Sequence, residues 1–302
     1  MQLLALLIGL AVERLATQLF HLRELRWLDR VIDHGFEQVN RFANWPPMLL
    51  VVLLAAALVL PVVVVRLLLG DALLGFPYLV FAVVVLFFSF GPRDIGQEIN
   101  EYCAAVESGD EERTRRAAKA LLERDPPPDP TERSREVEAA ACVQGNNRLF
   151  AVIFWFVLFG PLGAWAYRVT DLIRRRAVFR AARDETSQDA ASLSVTAAED
   201  LHGWVAWIPA RLTAIGYAMA GDFEAAVSAW RGVSTVGVPA GMQNEQLLAR
   251  VGLGALALQP QAEETDVERA VRGAQAAHRL VLRSFFIWAA VIAAMTLYGW
   301  SL

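Results

Sequence analysis

The apolar positions fall into long unbroken blocks, and no stretch of useful length alternates with the period of two that a β-strand would require. Four blocks reach the roughly 20 residues needed to carry a helix across a bilayer core. Residues 46–65 and 72–92 are uncharged, and only 66–71 part them, so they predict a tight antiparallel helical hairpin with Gly70 in its turn. Pro61 inside the first of them is tolerable if a neighbouring helix takes up the carbonyl it leaves unbonded. Residues 149–167 are uncharged between Arg148 and Arg168. Residues 284–302 carry no charge either, and Trp288, Tyr298 and Trp300 are placed there as interface anchors. Residues 1–20 are apolar apart from Glu13 and Arg14, and with no positive n-region they predict an uncleaved membrane helix.

The polar stretches are patterned as helices. Asp94 is placed to cap a helix whose Gln97 would reach back in a capping box, Gly109 to end it, and Asp110 to cap the next. That second helix should bury Ala117, Ala120, Leu121 and Leu122. The run DPPPDP at 125–130 predicts an extended linker, with Thr131 or Ser134 restarting a helix. Residues 203–221 are apolar with one charge, Arg211, and read as a membrane-surface helix or a further embedded segment. Gly221-Asp222 repeats the stop-and-cap device, and a helix over 266–283 should run directly into the terminal span. The expected fold class is therefore all-α, a multi-pass helical membrane protein with cytosolic helical segments. Its divisions are membrane helices at 1–92, a charged helical cytosolic loop at 93–147, the fourth hydrophobic segment and its Arg-rich flank at 148–183, a helical polar region at 184–283 and a terminal transmembrane helix at 284–302.

Of the 28 basic residues only Lys119 is lysine, and arginines crowd both flanks of 149–167. By the positive-inside tendency both flanks look cytoplasmic. Either Gly160-Pro161 breaks the helix and makes the segment re-entrant, or the segment is a kinked crossing with arginines outside. Composition narrows the function: 56% of the 302 residues are hydrophobic and the formal net charge is −4, which argues against a soluble enzyme and against nucleic-acid binding. Cys103 and Cys142 lack zinc or disulfide-framework spacing, and His21, His34, His202 and His278 share no ligand spacing, so no metal is expected. Gly91 and Gly96 have the outer spacing of a phosphate loop without its Lys-Ser/Thr pair, and a helix cap is the better reading.

The remaining candidates are polar groups at the apolar layer. Glu13 and Arg14 would be costly inside a membrane helix and are functional candidates, unless they only mark the interface. Arg93, Asn146, Asn147, Arg148 and Arg211 complete a candidate polar crevice, in which arginine either pairs with a carboxylate such as Glu13 or holds an anionic ligand in its planar fork.

The segment Glu13-Arg14-Leu15, the hairpin, NNRLFAVIFWFVLFGPLGAWAYR, WIPARLTAIGYAMAGDFEAAVSAW and the ending TLYGWSL together resemble the AmpE family, related to the cobalamin-biosynthesis membrane proteins CobD/CbiB. The resemblance implies a regulatory protein of the bacterial cytoplasmic (inner) membrane, linked to β-lactamase induction and peptidoglycan recycling, with the bilayer and a membrane or cytosolic protein as partners. The alternatives are a CobD/CbiB-like nucleotide-dependent amide ligase and a structural partner-binding protein. The ligase relatives carry carboxylates where this chain reads CVQGNNR and LHGWVAW, so no catalytic residue and no cofactor is expected, nucleotide being the alternative.

Overall fold

The computed structural model describes residues 26–41, 45–69, 76–91, 94–181, 188–233, 238–259, 261 and 263–298. Among these every regular element is helical. Glu13, Arg14 and Arg93, like Gly70 and residues 1–20, lie outside the described residues.

Helix α1 (Arg26–Arg41) is amphipathic and packs Leu28, Ile32 and Phe36 onto the neighbouring helices. Helices α2 (Pro47–Leu69) and α3 (Phe76–Ser89) form the first two apolar rods. The described part of α3 spans about 21 Å at 1.5 Å per residue, shorter than the block read from the sequence. Pro61 lies within α2, and the Trp165 indole donates to the Leu58 carbonyl at 3.1 Å, one residue from the Ala57 carbonyl that the proline ring leaves unbonded.

Helices α4 (Ile95–Ser108) and α5 (Glu111–Leu122) form the charged layer. Asp94 accepts from the Gly96 amide, Gly109 takes the left-handed conformation at φ 69°, and Asp110 accepts from the Arg113 amide. Gln97 does not close a capping box; its amide donates to Glu101 one turn on, at 3.2 Å. The buried face of α5 is Thr114, Ala118 and Leu121, rotated slightly from the expected one. Helix α6 (Pro130–Gly145) starts earlier than the sequence suggested, because Asp129 caps it by accepting from the Glu132 amide and Pro130 occupies the first turn, where its missing N–H costs nothing.

From α6 the chain passes through one π-helical turn, Asn146–Phe150, into α7 (Ala151–Phe159). Gly160, at φ 65° and ψ −152°, then reverses it into α8 (Pro161–Ala181). The reversal is a full hairpin: a Cβ on Gly163 would collide with the Trp155 carbonyl, and α8 packs back against α7. From Arg148 to Gly160 is about 18 Å of helix, well short of the roughly 30 Å hydrocarbon core.

Helix α9 (Gln188–Ala220) lies across this hairpin. Its inner face is Ala206, Ala210, Thr213, Ala214 and Tyr217, whereas Trp204, Trp207, Ile208, Leu212, Ile215 and Met219 form an exposed apolar stripe. Pro209 leaves the Val205 carbonyl unbonded within the helix, and the Trp155 indole N–H takes it at 3.2 Å. Helices α10 (Phe223–Arg231) and α11 (Ala240–Leu256) pack on α9, the former capped by Asp222. Helix α12 (Asp266–Leu297) starts from a capping box of Thr265 and Glu268 and continues unbroken to its end.

Among the described residues three helical stretches are long and apolar enough to cross a membrane: Pro47–Leu68, Pro130–Phe159 and Asp266–Thr296. The first and third keep only 11% and 17% of their most apolar window buried, so their apolar surface faces outward; the second buries 67% and serves as the protein's own core.

Candidate functional site

The π-helical turn is the starting point, since a single wide turn within an α-helix re-aims the side chains that follow it and recurs at functional sites. Here it directs Arg148, 5% exposed, back toward α4. The Arg148 guanidinium donates from Nη1 to Glu98 at 2.7 Å and from Nε to Gln144 at 2.9 Å, and its Nη2 lies 3.5 Å from Glu123.

Because α8 returns antiparallel to α7, its first polar turns come level with Arg148. Arg168, Asp171, Arg174 and Arg175 share one face of α8 through i, i+3 and i+4 spacing. Asp171 has no exposed surface and accepts from Arg168 at 2.7 Å and Arg174 at 3.1 Å, with Arg175 Nε at 2.9 Å. Glu123, just past α5, accepts from Arg174 at 3.3 Å and lies 2.9 Å from Arg175. One ionic network thus ties α4, α5, the π-helical turn and α8 together.

Its electrostatics favour ionised partners. Burial opposes charge on Asp171, but Arg175, Arg174 and Arg168 outweigh it and hold the carboxyl far below the usual carboxylate range. Glu123 is lowered in the same way, with Arg175 and Arg174 prevailing over its desolvation. Arg168 is the outlier, since burial pulls it down to about 10 despite Asp171.

Beside the network, a cavity of about 40 Å³ is lined by Asn147, Arg174, His202, Asn244 and Glu245, among others. His202 is 4% exposed. Thr170 spends its hydroxyl proton on the Tyr167 carbonyl at 2.7 Å, so the 3.3 Å contact assigns the proton of His202 to Nδ1 and makes Nε2 the acceptor. Neither His202 Nε2 nor the Tyr167 hydroxyl has a hydrogen-bond partner among the described residues. Desolvation first, and the Arg174 charge second, bring His202 down to about 3. The unfolded chain takes up that proton near 6.5, so the stability contributed by a neutral His202 is complete above pH 6.5 and is lost as the pH falls toward 3. We expect the purified protein to lose about 2 kcal/mol near pH 5 from this group. Thermal melts between pH 7 and 5 should show the loss, and a His202→Gln variant should flatten it; an unchanged slope would assign the effect elsewhere.

On the other side of Arg174 opens a larger cleft of about 680 Å³, lined by Lys119, Arg124, Arg174, Arg175 and Arg176 against Asp29, Glu123 and Asp125. Arg176 binds Asp33 of α1 through a bidentate pair and so fixes α1 along its edge.

The residues singled out in the sequence are only partly brought together. Asn146 and Asn147 hydrogen-bond each other at 3.0 Å, and Thr213 donates to Asn146 at 3.1 Å. Asn147 also lines the small cavity, and Arg148 is the hub of the network. Arg211 is not part of that network: it stacks on Trp207 at 3.8 Å and donates to Asn244 at 3.0 Å, touching only the cavity's rim. Gly91 is no phosphate loop, since its amide donates to the Arg148 carbonyl and Arg148 fills the space above it. Sequence reasoning missed Glu98, Glu123, Asp171, Arg174, Arg175 and His202. The signal that the sequence offers is the Arg-x-x-Asp-x-x-Arg-Arg spacing on α8, whose arginines belong to the crowded flank of 149–167. Among the described residues no group of three His, Cys, Asp or Glu side chains is arranged to hold a metal. Both thiols are buried and unbridged, and burial raises Cys103 to about 11.

The sequence profile of the family described as "Regulatory signalling modulator protein AmpE" matches residues 1–302. Among curated proteins the chain is similar to "Cobalamin biosynthesis protein CobD" of Stutzerimonas stutzeri, 29% identical over 150 residues, which is 49% of this chain and 47% of that protein. It is also similar to the protein of the same description from Chromobacterium violaceum, 25% identical over 256 residues, 72% of this chain and 71% of that one. The chain thus spans about half the length of the first relative and more of the second. No solved structure matches. With a match along its whole length, this chain belongs to the AmpE family of membrane proteins.

Proposed function

We propose that the protein is a signalling regulator of the bacterial cytoplasmic membrane, acting in β-lactamase induction and cell-wall recycling through its charged cytosolic layer. In this reading α2, α3 and the end of α12 cross the bilayer, the α7–α8 hairpin dips in from the cytosolic side, and α9 lies in the interface on its Trp204–Met219 stripe. One observation carries it beyond the family's description: at the polar centre Glu98, Glu123 and Asp171 are each engaged by arginine at 2.7–3.5 Å. The arginines hold Asp171 and Glu123 ionised and lower their basicity, which makes them poor general bases.

The similarity to CobD proteins favours a second reading, a nucleotide-dependent amide ligase. Two measurements separate them. Deletion of the gene in a host with an inducible β-lactamase should change the response to a β-lactam inducer, and the Glu98→Gln variant should fail to restore it. If deletion leaves induction untouched, and the purified protein instead binds nucleotide with magnesium in a manner abolished by Arg211→Ala, the regulatory reading falls and the ligase stands.

A further inference from the structure

The buried network carries more positive charge than the carboxylates in contact with it can neutralise. Arg148, Arg168, Arg174 and Arg175 share Glu98, Glu123 and Asp171, and Glu245, half exposed and 4.0 Å from Arg174, adds only a screened contact. Nε of Arg174 and Nη2 of Arg175, both on residues that line the cleft, are buried without a hydrogen-bond partner among the described residues. Unpaired donors on desolvated cations are costly, and an anion is the group that would satisfy them.

The cleft next to Arg174 and Arg175 has the size of a small-molecule site, and its walls combine Lys119, Arg124 and Arg176 with the apolar Leu172, Val178 and Phe179. The rim cations have partners that yield easily. Lys119 pairs with Asp125 at 2.5 Å and Arg124 with Glu136 at 3.0 Å, but in both pairs the cation is more than half exposed, and such pairs contribute little. The floor is fixed and the rim is adaptable, which suits a ligand with one charged end and an apolar body.

We infer that this cleft binds a small amphiphilic anion, its phosphate- or carboxylate-type group held by Arg174 and Arg175 and flanked by Lys119 and Arg124, its apolar part against Leu172, Val178 and Phe179. The site does not depend on the regulatory reading above and could equally serve an enzyme. Such an anion has two sources, a soluble metabolite or an anionic lipid headgroup, and the two are separable.

The test uses the full-length protein in phosphatidylcholine nanodiscs, titrated with phenyl phosphate by calorimetry, and a parallel thermal-unfolding comparison of nanodiscs with and without phosphatidylglycerol. Saturable phenyl phosphate binding, weakened about tenfold by Lys119→Ala with Arg124→Ala and unaffected by Arg113→Ala, supports the site with a soluble ligand. Arg113 is an exposed cation on α5 away from the cleft lining, so it controls for general charge. Stabilisation by phosphatidylglycerol that the same double variant erases supports it with a lipid. The inference is overturned if neither probe has an effect, or if Arg113→Ala weakens binding as much as the cleft variants do. Because both rim residues are exposed, their substitution leaves the fold intact and the result interpretable.

Discussion

Asp171→Ala is expected to destabilise the protein by about 3–5 kcal/mol, because it leaves the guanidiniums of Arg168, Arg174 and Arg175 without the carboxylate they share at the centre of the fold. In a chain of ordinary marginal stability that is a large part of the total. The readout is the thermal melt of detergent-purified protein together with its monodisperse yield. Asp171→Asn should be nearly as harmful, since it preserves shape and removes charge. Combining Asp171→Leu with Arg168→Met should recover part of the loss, because an apolar pair replaces a buried ionic one at less cost than a broken pair. Should Asp171→Ala melt within a few degrees of the parent, the network would be decoration on a fold held by other contacts.

Gly163→Val is the second large effect, and Gly160→Ala its companion. A side chain at 163 meets the Trp155 carbonyl, which is backbone and cannot rotate away, while Gly160 occupies a region of φ and ψ open almost exclusively to glycine. Overpacking and backbone strain of this kind cost about 1–3 kcal/mol each, and here both fall on the same four-residue reversal. The expected outcome for Gly163→Val is loss of the folded monomer. A milder outcome for Gly160→Ala would be a lowered melting point without a change in the orientation of α8. Arg180→Cys, tagged with a membrane-impermeant thiol reagent in intact cells, reports that orientation; labelling from outside would place the end of α8 on the opposite face and dismantle the hairpin arrangement.

Local signals in the sequence were readable and distant ones were not. Asp94, Gly109, Asp110 and Asp222 perform the capping roles their side chains and spacing imply, because a cap depends on three or four neighbouring residues. Gln97 departs from its expected role because Glu101, one turn on in the same helix, offers its amide a partner. The helix break at Gly160-Pro161 is legible in the sequence, whereas the return of α8 alongside α7 rests on distant contacts, Arg148 and Arg174 meeting the same Glu123. That is the general difficulty with the site: its carboxylates come from α4, the end of α5 and α8, and nothing local distinguishes Glu123 from the other acidic residues of its loop. Arg211 is the converse case. It stands out in the sequence as a solitary charge among apolar neighbours, yet its neighbour Trp207 and the nearby Asn244 satisfy it.

The unbroken course of α12 from Asp266 to Leu297 has a mechanical consequence. With no glycine hinge or proline at residue 284, the apolar and polar halves behave as one stiff lever. The arm from Asp266 to Arg283 is about 27 Å long, so a tilt of about 10° in the outer half displaces its far end by about 5 Å. The tip of that arm carries Arg269, which grips Glu138 on α6 at 2.6 Å. In the proposed membrane arrangement, a change in tilt of the outer half would bear on the contact between α12 and α6, the helix that leads directly into Arg148.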